Sequence, residues 1–242
     1  MDVNQLVQTF AIYAVPVLFA ITLHEAAHGY VARHFGDMTA HAQGRISLNP
    51  VRHVDLVGTL LVPLAILFVS AGHFLFGWAK PVPVNYSALR NPRPHMAWVA
   101  AAGPAANLVM AVLWVLALRV GVMLSDRADR WVDLAREHGA GGVVEVAIKQ
   151  GHGPAEFLIG MAAAGVTVNL IFMLLNLIPI PPLDGGRILT SLLPSRAAWR
   201  FAKIEPWGVP ILLLLLFTNV LNGVLGPLVF ESEALLRAFV LL

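Results

Sequence analysis

His24-Glu25-Ala26-Ala27-His28 sets two imidazoles four residues apart, with a carboxylate beside the first. On a helix, residues i and i+4 share one face, so both imidazoles can reach the same metal ion. Glu25 stands where a general base for a metal-activated water is needed. A catalytic zinc site usually takes three protein ligands and keeps a fourth position open. The chain has no Cys, which excludes thiolate ligands, disulfides and a cysteine nucleophile. The third ligand must be a His or a carboxylate from elsewhere. Asp184, next to Gly185 just beyond an apolar run, is the strongest candidate. Such a set suits hydrolysis of a peptide carbonyl, with Glu25 taking the proton of the attacking water and returning it to the leaving amine. The oxyanion calls for neutral donors as well. Asn107 and Asn176, amides within otherwise apolar runs, are the side chains to consider.

The elements that must position these residues belong in a membrane. Of 242 residues, 58% are hydrophobic and 12% charged, and the mean hydropathy is +0.74. Soluble chains carry about 25% charged residues. Several apolar runs reach the roughly 20 residues that cross a bilayer. The expected fold is an all-α polytopic membrane protein of about four full transmembrane helices, with a re-entrant Gly/Pro-rich segment and a short extended membrane-associated segment. The net charge of +2 is small and dispersed, which excludes a nucleic-acid partner. The absence of a basic leader predicts that the first helix is retained.

Residues 4–32 read as one helix bent at Pro16 and stopped near Gly36, with the His pair a turn or two inside its polar exit. Residues 33–54 are a polar connection, with a weak strand over 42–48. The apolar stretch 54–76 is broken by Gly58, Pro63, Ser70 and Gly72, and Pro81 and Pro83 keep 77–85 extended. Residues 96–120 form a second clear span, carrying Pro104 and Asn107. Residues 121–156 read as a solvated connection whose amphipathic helix is ended by Gly139, Gly141 and Gly142. A further span covers 157–178, a basic amphipathic stretch 187–206, and a last span 207–230 with a short tail. The chain reads as a single membrane-embedded domain over 1–242, its catalytic core at about 4–190 and its C-terminal span and tail at 207–242.

Parity constrains the topology. If His24, His28 and Asp184 meet, the helices ending at them run parallel, so one full crossing separates them. Of the runs 54–76 and 96–120, the Gly/Pro-broken 54–76 is the one expected to re-enter. The connections on the metal side then carry Arg33, Arg45, Arg52, Lys80, Arg90, Arg93, Arg187, Arg196, Arg200 and Lys203, with few acids. By the positive-inside rule that side is cytoplasmic. A substrate helix must unwind to be cut, and 77–85 could accept it as an added strand. His34, His41, His53, His73, His95, His138 and His152 read as ordinary polar residues.

Four stretches, His24 to His28, Gly77 to Asn85, Gly103 to Asn107 and Asn176 to Gly185, together resemble the site-2 protease family of intramembrane zinc metalloproteases (peptidase family M50). The last two match its Gly-Pro-x-x-Asn and Asn-x-x-Pro-x-x-x-Leu-Asp-Gly motifs, in the family's order, within a matching region of about residues 15–190. The resemblance implies one catalytic Zn2+ held by His24, His28 and Asp184, with Glu25 as base. It implies that Asn176 positions the substrate or its oxyanion, and that transmembrane proteins or peptides are cut on the cytoplasmic side. It is to a compact form, without room for a PDZ insertion or a CBS pair, in a prokaryotic cell membrane. The lipid bilayer is the other expected partner, and the sequence leaves homo-oligomerisation open. The competing reading is a non-hydrolytic membrane metal-binding or transport protein, which uses the same ligands but gives Glu25 no task.

Overall fold

The computed structural model describes residues 3–53, 55–62, 65, 80–151 and 153–240. Helix α1 (Val3–His34) contains Pro16 without being ended by it, and stops at Gly36, whose φ of +109° is one that L side chains rarely adopt. A single turn, α2 (Thr39–Ala42), follows. Helix α3 (Pro92–Met123) opens on Pro92, where the missing N–H has no intrahelical role, and it carries Pro104 within. Then come α4 (Ala128–Gln150), α5 (Pro154–Asn176), α6 (Asp184–Leu192), α7 (Ser195–Ala202), α8 (Glu205–Phe217) and α9 (Val220–Val240).

Three helices, α1, α3 and α5, are each long and apolar enough to cross a membrane, and α8 with α9 passes as a fourth only as a pair bent by 80°. The outer faces carry exposed apolar side chains such as Phe10, Val109, Leu113 and Phe217, the surface that lipid would cover. The last span expected over 207–230 is thus built of two helices. They break at Thr218-Asn219, where Thr218 turns its hydroxyl back to the Leu214 carbonyl and Asn219 takes a φ of 60°.

Helix α3 runs against both of its neighbours. The N–H of Arg90, just before it, donates to the Phe35 carbonyl at the end of α1 over 3.0 Å. At its far end Gly121 lies against Ile159 near the start of α5. α1 and α5 therefore run parallel with one crossing between them. The chain from 36 to 90 leaves and returns at the same end. Within it, residues 56–61 form a π-helical turn and 80–85 carry no helix. Most of the segment expected to re-enter, and the start of the extended one, lie outside the described residues, as do His73 and His152.

One sequence expectation is corrected and one is extended. No strand occurs among the described residues; over 42–48 the chain instead turns, with Arg45 N–H donating to the Ala40 carbonyl. The stretch 121–156 keeps its charged residues from Asp126 to Lys149 exposed, as expected, and its first helix ends at Gly139 (φ 67°, ψ −172°), but it is more helical than a connection: the chain folds back there into a second helical half, the two together forming α4. Its ends meet, since the Arg130 guanidinium donates to Gln150 Oε1; in a straight helix they would stand about 30 Å apart. Trp131, Ala135, Val143, Val144 and Ala147 pack with Val115, Leu118, Ile159 and Ala162 into the main core. Glu233 of α9, only 3% exposed, holds the apex. Its Oε2 accepts from the Ala140 N–H at 2.8 Å and its Oε1 from the Thr167 hydroxyl at 2.7 Å.

A Cβ at Gly139 would stand 2.8 Å from Glu233 Oε2 on a backbone that disfavours side chains, whereas a Cβ at Gly141 meets nothing within 4 Å. Gly139→Ala is expected to destabilise the protein by about 1–3 kcal/mol, and Gly141→Ala to be neutral or stabilising by up to about 1 kcal/mol. Thermal unfolding in detergent reads the contrast; equal midpoints for the two variants would contradict the hairpin.

Candidate metal centre

α1 supplies His24 and His28 one turn apart, and α6 supplies Asp184 in its first turn. The two imidazole Nε2 atoms lie 3.1 Å apart. Asp184 Oδ2 is 3.2 Å from that of His24 and 3.4 Å from that of His28. All three residues are buried or nearly so.

The protons on these rings follow from the opposite ring atoms. His28 Nδ1 is 2.7 Å from the Val99 carbonyl oxygen, which can only accept. His24 Nδ1 is 2.6 Å from Asn107 Oδ1, while the Asn107 amide nitrogen donates to the Ala20 carbonyl at 3.2 Å and to Asn169 Oδ1 at 3.0 Å. Both imidazoles thus donate through Nδ1 and present a lone pair at Nε2. Asp184 Oδ2 is buried with no hydrogen-bond partner. With a cation between the three groups, Asp184 binds through this oxygen as the carboxylate, the form in which an Asp ligates a metal. Two lone pairs and a carboxylate oxygen facing one another are stable only around a cation. Their separations match the edge of about 3.3 Å in a tetrahedron of zinc–nitrogen and zinc–oxygen bonds. The residues fit zinc, and they are the one such group among the described residues.

The close approach of α3 depends on Gly103, where a Cβ would stand 2.5 Å from both His24 Cε1 and His28 Nε2. Asp184 is brought in by the turn after α5. The backbones of Gly185 and Gly186 lie so near Leu177, Ile178 and Pro181 that neither tolerates a side chain.

Glu25 is half-buried, and its Oε2 accepts the Val82 backbone N–H at 2.7 Å. The segment 80–85 therefore lies across the His24–His28 turn of α1, packed over Gly29, where a Cβ would meet Ile46 at 3.0 Å and Val82 at 3.1 Å. Asn107 is corrected as an oxyanion donor, since both its amide protons are taken and it orients His24 instead. Asn176 spends one amide proton on the Phe172 carbonyl, at 2.9 Å. Other residues of the centre had not been singled out. The Val99 carbonyl and the Val82 N–H are backbone groups that no side chain advertises. Asn169 carries the same signal as Asn107, a buried amide in an apolar span. His53 is not a surface residue; it is 2% exposed, with Nε2 2.8 Å from the Ser47 carbonyl.

Residues 12–218 match the model of peptidase family M50. The chain is 34% identical over 226 residues to YwhC of Bacillus subtilis, covering 93% of this chain and 89% of that one. It is 30% identical over 214 residues to Rip2 of Mycolicibacterium smegmatis, covering 88% and 69%. With Rip2 of Mycobacterium tuberculosis it shares 28% over 208 residues, covering 85% and 66%. All three relatives carry the names of zinc-metalloprotease candidates. No solved structure matches the chain.

Asn107→Ala removes the acceptor that fixes His24 and is expected to weaken zinc binding about 10–100-fold. Gly103→Ala drives a methyl into both imidazoles and is expected to lose zinc more completely. Competition against a chelator, with circular dichroism to verify helical content, measures both; wild-type zinc affinity in Gly103→Ala would contradict the assigned site.

Proposed function

The chain belongs to peptidase family M50, and on that premise we propose that His24, His28 and Asp184 hold the zinc of a membrane metalloendopeptidase that cuts transmembrane segments near their cytoplasmic end. The observation that carries this is the convergence of two lone pairs and an unpartnered carboxylate oxygen beside a fixed glutamate. Zinc bound there supplies a Lewis acid that acidifies water and polarises a carbonyl. Glu25 takes the proton of the attacking water and delivers it to the departing amine. The Val82 N–H holds its carboxylate in place between the two transfers. Asn107 keeps His24 in the correct tautomer, as Val99 does for His28. We assign the oxyanion to Asn176, whose second amide proton has no partner among the described residues.

The substrate is a membrane-embedded protein segment. It must unwind to expose a carbonyl, and residues 80–85 are the surface along which an extended stretch would lie. Among the ten basic residues of the metal-side connections, acids are few. That side faces the cytoplasm. A non-hydrolytic metal carrier would need the three ligands but leaves the docked Glu25 carboxylate unexplained, which favours hydrolysis.

Glu25→Gln is expected to keep zinc and to lose about 10²–10⁴-fold in turnover on single-span membrane peptides in detergent. Cleavage by the variant at the wild-type rate would rule Glu25 out as the base. Because the chain has no Cys, Arg130→Cys and Arg200→Cys each carry a single thiol. An impermeant reagent applied outside intact cells is expected to label position 130 and not position 200; the reverse pattern would invert the topology.

A further inference from the structure

Asp37 stands three residues beyond the end of α1, in a polar connection, yet it is only 1% exposed. Its two carboxylate oxygens do different work. Oδ1 accepts the Thr39 N–H at 2.9 Å and the Thr39 hydroxyl at 2.5 Å, closing the turn that opens α2. Oδ2 reaches across the chain to accept the Asn85 backbone N–H at 2.7 Å. Asn85 closes the segment whose Val82 N–H grips Glu25.

Few other bonds hold that segment. Its near end is tied by Lys80 N–H to the His53 carbonyl at 2.9 Å and by the exposed Arg45 guanidinium to the Lys80 carbonyl at 2.9 Å. Pro81 and Pro83 have no N–H, so between Lys80 and Asn85 the only donors are those of Val82 and Val84. The far end depends on Asp37, on Arg90 at the Phe35 carbonyl, and on Val84 and Leu89 packed against Ala32 and Val99.

We propose that Asp37 is a positioning residue for peptide hydrolysis: it clamps Asn85 so that the Val82 N–H meets the Glu25 carboxylate. This rests on Glu25 being the base. The charge suits the task, because an ionised carboxylate offers acceptors to both the turn and the segment, whereas a neutral amide serves only one.

Asp37→Asn isolates the clamp. Two Thr39 donors keep the remaining oxygen on the turn, and the amide nitrogen then faces the Asn85 N–H without bonding it. Thr39→Val is the counterpart, removing one bond from the turn and leaving the clamp. The full chain, zinc-loaded in detergent, is compared on a single-span peptide that the wild type cuts, and hydrogen exchange of residues 80–90 is followed in parallel. Asp37→Asn is expected to lower kcat about 10- to 100-fold with KM and zinc content unchanged. Its amides at 82 and 85 are expected to exchange faster, while Thr39→Val keeps the wild-type kcat. Wild-type kcat in Asp37→Asn, unchanged exchange, loss of zinc, or an equal loss of kcat in Thr39→Val would each overturn the clamp. Exchange is read whether or not any peptide is cut, so an inactive wild type counts against hydrolysis and not against the clamp.

Discussion

Two imidazole nitrogens and a carboxylate oxygen, none with a proton to share, are held within 3.4 Å of one another. Without a cation that arrangement is repulsive, so the fold must impose it from behind. The Val99 carbonyl and Asn107 fix the proton on the far side of each ring, which leaves the near side bare. Gly103 lets α3 come close enough to offer those acceptors. On the other side, glycine backbones pack the turn after α5 against the start of α6 and so bring Asp184 in. Pro181 of this turn is covered by Gly208 of α8, another position with no room for a side chain. The ligands thus come from α1 and α6, but their geometry is set by α3, by the α5–α6 turn and by α8.

Glu25 is controlled separately. Its carboxylate is bonded by the Val82 N–H of a non-helical segment. That segment is tied to the polar connection after α1, through His53, Arg45 and Asp37. Metal affinity and base position are therefore governed by different parts of the chain. This is why loss of turnover without loss of zinc is a meaningful result for a variant outside α1.

Much of the centre was legible in the sequence because its signals are local. The spacing of His24 and His28 fixes them on one helix face, and an acid after a Pro-stiffened turn is conspicuous in an apolar chain. The parallel course of α1 and α5 also followed, from the requirement that Asp184 meet the His pair. What was not legible shares one cause. Asp126, Arg127, Asp129, Arg130, Asp133, Arg136 and Glu137 do form an exposed face, and Gly139 does end a helix. The φ of 67° at Gly139 also turns the chain back into a second helical half, and the partner that accepts the apex N–H, Glu233, lies far along the chain in α9. Asp37 and Asn107 were visible as polar residues, but their tasks depend on backbone groups distant in sequence, which no spacing rule reveals.

A bilayer changes what holds such a bundle together. Lipid tails are as apolar as leucine, so burying apolar faces between helices gains little, and close packing must serve instead. Small residues supply it: Gly160 lies against Ala147, Gly165 under Trp114 and Gly121 against Ile159. Ala162, Ala163 and Ala164 are fully buried in the same helix. The polar bonds are few, and each interhelical hydrogen bond in a membrane adds on average only about 0.6 kcal/mol. The Asn107–Asn169 bond between α3 and α5 is therefore a minor term in stability. Its larger consequence is orientation. With both amide protons committed to Ala20 and Asn169, Asn107 can present only its oxygen to His24. The ring must then turn its Nε2 lone pair toward Asp184. A polar contact worth little to the bundle decides the tautomer on which the metal centre rests.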